Sequence, residues 1–211
     1  NDISPKFKNA VENNFFDLIY LANLQSNMLK EVKTLLKASE VPYIVFKGAV
    51  LKQSYPVPES RAMGDIDILI KECDIKQNGP VYNYVKNNVL FEIHTKLINH
   101  YDEEPFCNAF DYAVFDGFEG TFDNNFHFAY LIAHTAHHFK FYGAGIKLIV
   151  DLAIMLKNSN IDLVRVFEYL KPVGLETFGK TMLNVCNNFF GYGVNYNIDT
   201  KEVEEYLCNC G

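Results

Sequence analysis

The first 37 residues carry a helical hydrophobic pattern. Val11, Phe15, Leu18, Ala22, Leu29, Val32 and Leu36 recur at intervals of three, four or seven, which gathers them into one stripe on a helix running from Pro5 to about Lys37. Val41-Pro42 ends that period, and Tyr43-Ile44-Val45-Phe46 is a short apolar run suited to a buried strand. Ala49 to Ser54 suits a short helix, and Tyr55-Pro56-Val57-Pro58 is a loop, since two prolines exclude regular structure. From Asp65 to Lys71 the period changes to two: Ile66, Ile68 and Ile70 share one face of a strand, and Asp65, Asp67 and Leu69 the other. Val81–Lys86 and Val89–Leu97 read as a hairpin turning at Asn87-Asn88, because Asn tolerates the positive φ of tight turns. In its second arm, Leu90, Glu92 and His94 share a face. From Phe126 onward the pattern is helical, over 126–141, 146–156, from an N-cap at Asp162, 175–190 and 201–208. A helix, a small mixed sheet and then helices predict an α+β fold. The expected segments are an N-terminal helical segment (1–40), a core (41–100) and a C-terminal helical region (101–211).

Composition narrows the function classes. Apolar residues make up 49% and charged residues 21%, a globular balance. The formal net charge of -7, with no Lys/Arg cluster, argues against general nucleic-acid binding, which needs a basic face to displace phosphate counterions. A local pocket for one triphosphate needs only two or three cations and stays compatible with that charge. The five cysteines are irregularly spaced, and Cys208-x-Cys210 is too tight for a zinc knuckle, so reduced thiols are expected. No apolar run approaches the roughly 20 residues of a membrane span, and no secretory leader pattern opens the chain. We therefore expect a cytoplasmic protein with no membrane partner.

The chemistry concentrates at Asp65-Ile66-Asp67. Two carboxylates at i and i+2 on a strand project from one face, and a shared divalent cation relieves the repulsion of such a buried pair. Mg²⁺ (or Mn²⁺) suits oxygen ligands of this kind together with substrate phosphates. Gly64 just before the pair allows close backbone approach. Lys47-Gly48 follows the upstream strand, where a glycine turn into a helix start can cradle phosphate. Lys47 and Arg61 are the cations best placed for a triphosphate, Arg through its bidentate fork. His94 shares the face of Glu92 and borders the same region. His127, His134 and His138 share one helical face; packing or hydrogen bonding is the favoured reading, against zinc binding by the i, i+4 pair.

Phe46-Lys47-Gly48-Ala49, Tyr55-Pro56, Arg61-Ala62-Met63-Gly64-Asp65-Ile66-Asp67-Ile68-Leu69-Ile70, Phe91-Glu92-Ile93-His94, His134-Thr135-Ala136-His137-His138 and Val150-Asp151-Leu152 together resemble the uncharacterised nucleotidyltransferases of the polymerase-beta-like superfamily. The resemblance implies a small mixed sheet flanked by helices. It also implies metal-dependent transfer of a nucleoside monophosphate from a nucleotide triphosphate such as ATP to a small-molecule or protein acceptor. Asp65 and Asp67 match the two metal-binding acids, Glu92 falls where the third acid comes, and Gly48 matches the phosphate-side glycine. Ala49 stands where the superfamily turn carries Gly or Ser. A non-catalytic nucleotide-binding or partner-binding relative of the same fold is the alternative, and a histidine-metal hydrolase built on the helix from Phe126 a third. The resemblance also implies a helix and a further strand between Lys71 and Val81, where nine residues stand. We expect a segment to be missing there, seen as a break in the backbone between about Asp74 and Val81.

Overall fold

A computed structural model describes residues 4–71, 81–97 and 105–209, with side chains in the first helix from Asn14 onward. The described elements are α1 (Pro5–Ala38), β1 (Tyr43–Phe46), α2 (Gly48–Leu51), β2 (Asp65–Ile70), β3 (Val81–Lys86), β4 (Val89–His94), β5 (Ala113–Asp116), β6 (Glu119–Phe122), α3 (Asn124–Phe141), α4 (Ile146–Asn158), α5 (Leu163–Leu170), α6 (Glu176–Phe190) and α7 (Lys201–Asn209). The fold is α+β, as the hydrophobic pattern predicts. The chain divides into two compact units, one of residues 1–95 with 115–120 and one of residues 96–114 with 121–211.

The strands form a mixed sheet in the order β3-β4-β2-β1-β6-β5. β2 lies antiparallel to β1 and parallel to β4, while β3 and β4 are an antiparallel hairpin. Asn87 and Asn88 close that hairpin with φ of 49° and 63°, the two positive values of a type I′ turn. β4 ends at His94, three residues before the expected Leu97. β3 runs opposite to β2, with β4 between them. The expected backbone break falls on 72–80, outside the described residues.

Tyr43, Val45, Ile66, Ile68, Ile70, Val89 and Phe91 make an apolar sheet face, on which Met28 and Val32 of α1 pack with Leu24, Leu29 and Leu36 beside them. The α1 stripe differs from the sequence expectation: Phe15 is exposed and Met28 is buried. A helix of 34 residues is roughly 50 Å long, whereas six-residue strands span about 20 Å, so the sheet covers only part of it. Among the described residues of α1, contact with this core begins at Leu24.

β5 and β6 are a second correction, because the pattern assigns no element between Leu97 and Phe126. Their two-residue turn is Gly117-Phe118, with Gly117 at φ 60°, so Asp116-Gly117 was the available hairpin signal between strands of only four residues. A Cβ at Gly120 would stand 2.7 Å from both Ile44 and Phe115 side chains, so the approach of β6 to β1 requires glycine there.

The second unit is helical at its centre. Phe126, Phe128, Ala129, Tyr130, Ile132 and Ala133 of α3 are buried, along with Ile149 and Leu152 of α4, Val166 and Leu170 of α5, and Met182 to Cys186 of α6. Asp123 caps α3 by accepting from the backbone N–H groups of Asn125 and Phe126, and Asp162 caps α5 by accepting from Val164, as expected. No described helix is long and apolar enough to cross a membrane.

Candidate functional site

The parallel register of β2 and β4 creates the site. It pairs Asp65 with Leu90, Asp67 with Glu92 and Leu69 with His94, while β1 places Phe46 opposite Asp67. Phe46, Asp67 and Glu92 thus lie in one row across three neighbouring strands. Side chains alternate, so the isoleucines of β2 enter the core with α1 while the acids take the other face.

Asp67 is 4% exposed and His94 5%, so both are fixed by packing, whereas Glu92 is half-buried. His94 Nε2 lies 2.9 Å from Asp67 Oδ1 and 3.6 Å from Glu92 Oε2. Lys47 Nζ donates to the same Asp67 Oδ1 at 2.7 Å. The Phe46 ring meets the His94 ring at 5.2 Å between centroids and walls one side of the group.

Burial pushes the Asp67 carboxyl up, but the His94 hydrogen bond and the nearby Lys47 charge together outweigh it and hold the group below its ordinary value. The His94 hydrogen bond likewise holds Glu92 down. For His94, burial lowers the pKa, and the hydrogen bonds to Asp67 and Glu92 overcome this and raise it. Two carboxylates are therefore faced by an imidazole and by the Lys47 ammonium, which brings positive charge to Asp67.

Lys47 reaches this position from a backbone that side chains rarely adopt, φ 53° and ψ -133°. Gly48, which opens the short α2, is buried. A Cβ there would stand 3.1 Å from Arg61 Nη1 and from the Met63 side chain, so its small size admits those two residues. The buried Arg61 donates from Nη1 to the Ala62 carbonyl at 2.7 Å. Gly64 has open space where a Cβ would stand.

Of the sequence-predicted residues, the structure brings Asp67, Glu92 and Lys47 together. Asp65 shares their strand face and is half-buried, two positions before Asp67. The cluster of potential metal ligands among the described residues is Asp67, Glu92 and His94, whose ligand atoms all lie within 4.8 Å of one another. His94 belongs to this cluster rather than to its border. The available signal was its i+2 position from Glu92 on a strand, which puts both on one face. His127 belongs to α3, where burial drives its pKa down to about 4 against the opposing effect of Asp151. The His134 and His138 rings are 4.5 Å apart between centroids, and His134 stacks on Tyr130.

The model of a family described as uncharacterised nucleotidyltransferase matches residues 2–191. The chain belongs to this family. The match covers β1 through β6 and most of the helical region, so it includes every residue of the Asp67 cluster. No match was found among curated proteins or among solved structures.

Proposed function

We propose that this protein transfers a nucleoside monophosphate from a nucleotide triphosphate to a small-molecule or protein acceptor, at a divalent-cation site built on β2 and β4. The observation that carries this reading is the in-register placement of Asp67 and Glu92 on adjacent parallel strands, in a chain of the nucleotidyltransferase family. The donor chemistry fits a cation: two carboxylates and an imidazole share one small space, with Asp65 two residues upstream on the same face. Asp65, Asp67 and Glu92 would hold Mg²⁺ or Mn²⁺, which supplies charge stabilisation to the phosphate oxygens.

In this reading, Lys47 and Arg61 with the Gly48 turn lie on the triphosphate side. The acceptor oxygen bonds to the α-phosphorus as the bond to pyrophosphate breaks, and pyrophosphate leaves with the electron pair. The acceptor proton passes to Glu92, which solvent reaches more readily than Asp67. The Lys47–Asp67 ion pair favours a second reading, a non-catalytic relative in which the ammonium has taken the cation's place.

Thermal shift separates the two. A ligand that binds only the native state raises Tm by mass action. We expect one of the four nucleotide triphosphates to raise Tm only with Mg²⁺ or Mn²⁺, and Asp65→Asn with Asp67→Asn to abolish that metal-dependent part. A shift that ignores the metal, or survives the double substitution, overturns the catalytic reading.

A further inference from the structure

We propose that His94 is a direct ligand of the cation and that this nitrogen makes the site prefer a first-row transition ion such as Mn²⁺ over Mg²⁺. The proposal rests on the metal site described above and extends it to the identity of the ion.

Three observations carry it. First, the placement is that of a ligand. Nε2 stands 2.9 Å from Asp67 Oδ1 and 3.6 Å from Glu92 Oε2, spacings that neighbouring ligands of one ion adopt, since metal–ligand bonds of roughly 2.1 Å put adjacent donors about 3 Å apart. Second, the imidazole is held in place. It is 5% exposed, on a strand registered residue by residue with β2, and its ring packs against Phe46. A surface histidine on a flexible loop loses conformational entropy on binding an ion; this one is already ordered. Third, a protein cation already occupies the place of an ion: Lys47 Nζ stands 2.7 Å from Asp67 Oδ1, the same oxygen that His94 Nε2 faces. Lys47 is the group able to withdraw, because its four-carbon stem is flexible whereas the imidazole is fixed.

Ion preference follows from donor type. Mg²⁺ takes oxygen ligands and gives up its water reluctantly, so an imidazole adds little to its binding. Transition ions accept imidazole nitrogen alongside carboxylate, and Mn²⁺ accommodates both donors and phosphate oxygens. Carboxylates alone would leave the two ions far less distinguished.

The test titrates the full chain with Mn²⁺ alone, without nucleotide, following free Mn²⁺ by electron paramagnetic resonance in competition with Mg²⁺, and then records pulsed spectra for coupling to ¹⁴N. We expect one bound Mn²⁺ with nitrogen coupling and at least about tenfold preference over Mg²⁺. His94→Gln should remove the nitrogen coupling and most of the preference while changing Mg²⁺ affinity little. Lys47→Met should tighten Mn²⁺ binding by removing the competing ammonium. Bound Mn²⁺ without nitrogen coupling in the unaltered protein overturns the role of His94 and leaves the carboxylate site standing. Absence of Mn²⁺ and Mg²⁺ binding sinks both. The unaltered protein's spectrum is decisive even if His94→Gln fails to fold.

Discussion

Lys47 shows how much one residue can carry. Its positive φ costs of order 1–3 kcal/mol for a side chain that glycine would spare, yet that backbone delivers an ammonium to a nearly buried carboxylate. Lys47→Ala keeps the strain and loses the ion pair, while Lys47→Gly loses both. Urea denaturation should therefore find Lys47→Ala less stable than Lys47→Gly by about 1 kcal/mol. Equal stabilities would mean the strain is no larger than the extra unfolded-state entropy that glycine brings. His127 behaves differently. It is buried and held neutral, with its pKa lowered from 6.5 to about 4. Over that window the unfolded chain binds the proton and the folded one does not, so stability falls as pH drops from about 6.5 to about 4. The loss attributable to this residue reaches about 3 kcal/mol, discounting any unfolded-state structure. His127→Gln should flatten the denaturation midpoint across that range. A pH profile identical to that of the unaltered chain would show that His127 is not the titrating group.

At the scale of elements, glycines decide how closely backbones approach. Gly193 follows α6 with φ 133°, and a Cβ there would sit 2.3 Å from the Leu183 carbonyl oxygen. No side-chain rotation relieves a clash with backbone, so Gly193→Ala should cost about 2–4 kcal/mol by chemical denaturation. A loss under about 0.5 kcal/mol would show that the segment re-routes freely. Gly179 is the milder case: its nearest neighbour is the Leu170 Cδ1, a side-chain end that can shift. The β3–β4 hairpin was legible because its two asparagines satisfy the I′ turn locally and its arms alternate. The β5–β6 hairpin was not, since four-residue strands give too few alternations to stand out from loop. Phe15 was placed in a packed stripe because periodicity reports which face of a helix is apolar, not how far along the helix a partner extends.

For the molecule as a whole, net charge is the controlling quantity. An acidic chain at -7 repels polyanions, so binding to single-stranded DNA or RNA at physiological salt should be weaker than about 10⁻⁴ M by fluorescence anisotropy. Tight, salt-sensitive binding would instead point to a nucleic-acid acceptor. Cation sites within such a chain must be local, and Lys47 and Arg61 illustrate this: both are held by short-range contacts around Gly48 and Asp67, not by a basic surface.

Sequence by itself determined the α+β class, the alternation that puts Asp65 and Asp67 on one face of β2, the asparagine turn, and the motif resemblance that the family match then established. Those features depend on side-chain period and turn chemistry within a few residues. Only the tertiary structure decided that Glu92 stands level with Asp67, and that Lys47 and His94, 20 and 27 positions away from it, converge on one of its oxygens. Period two specifies which face a residue takes but not which strand lies beside it or in what register. That choice belongs to the packed sheet, and with it the charge balance of the site.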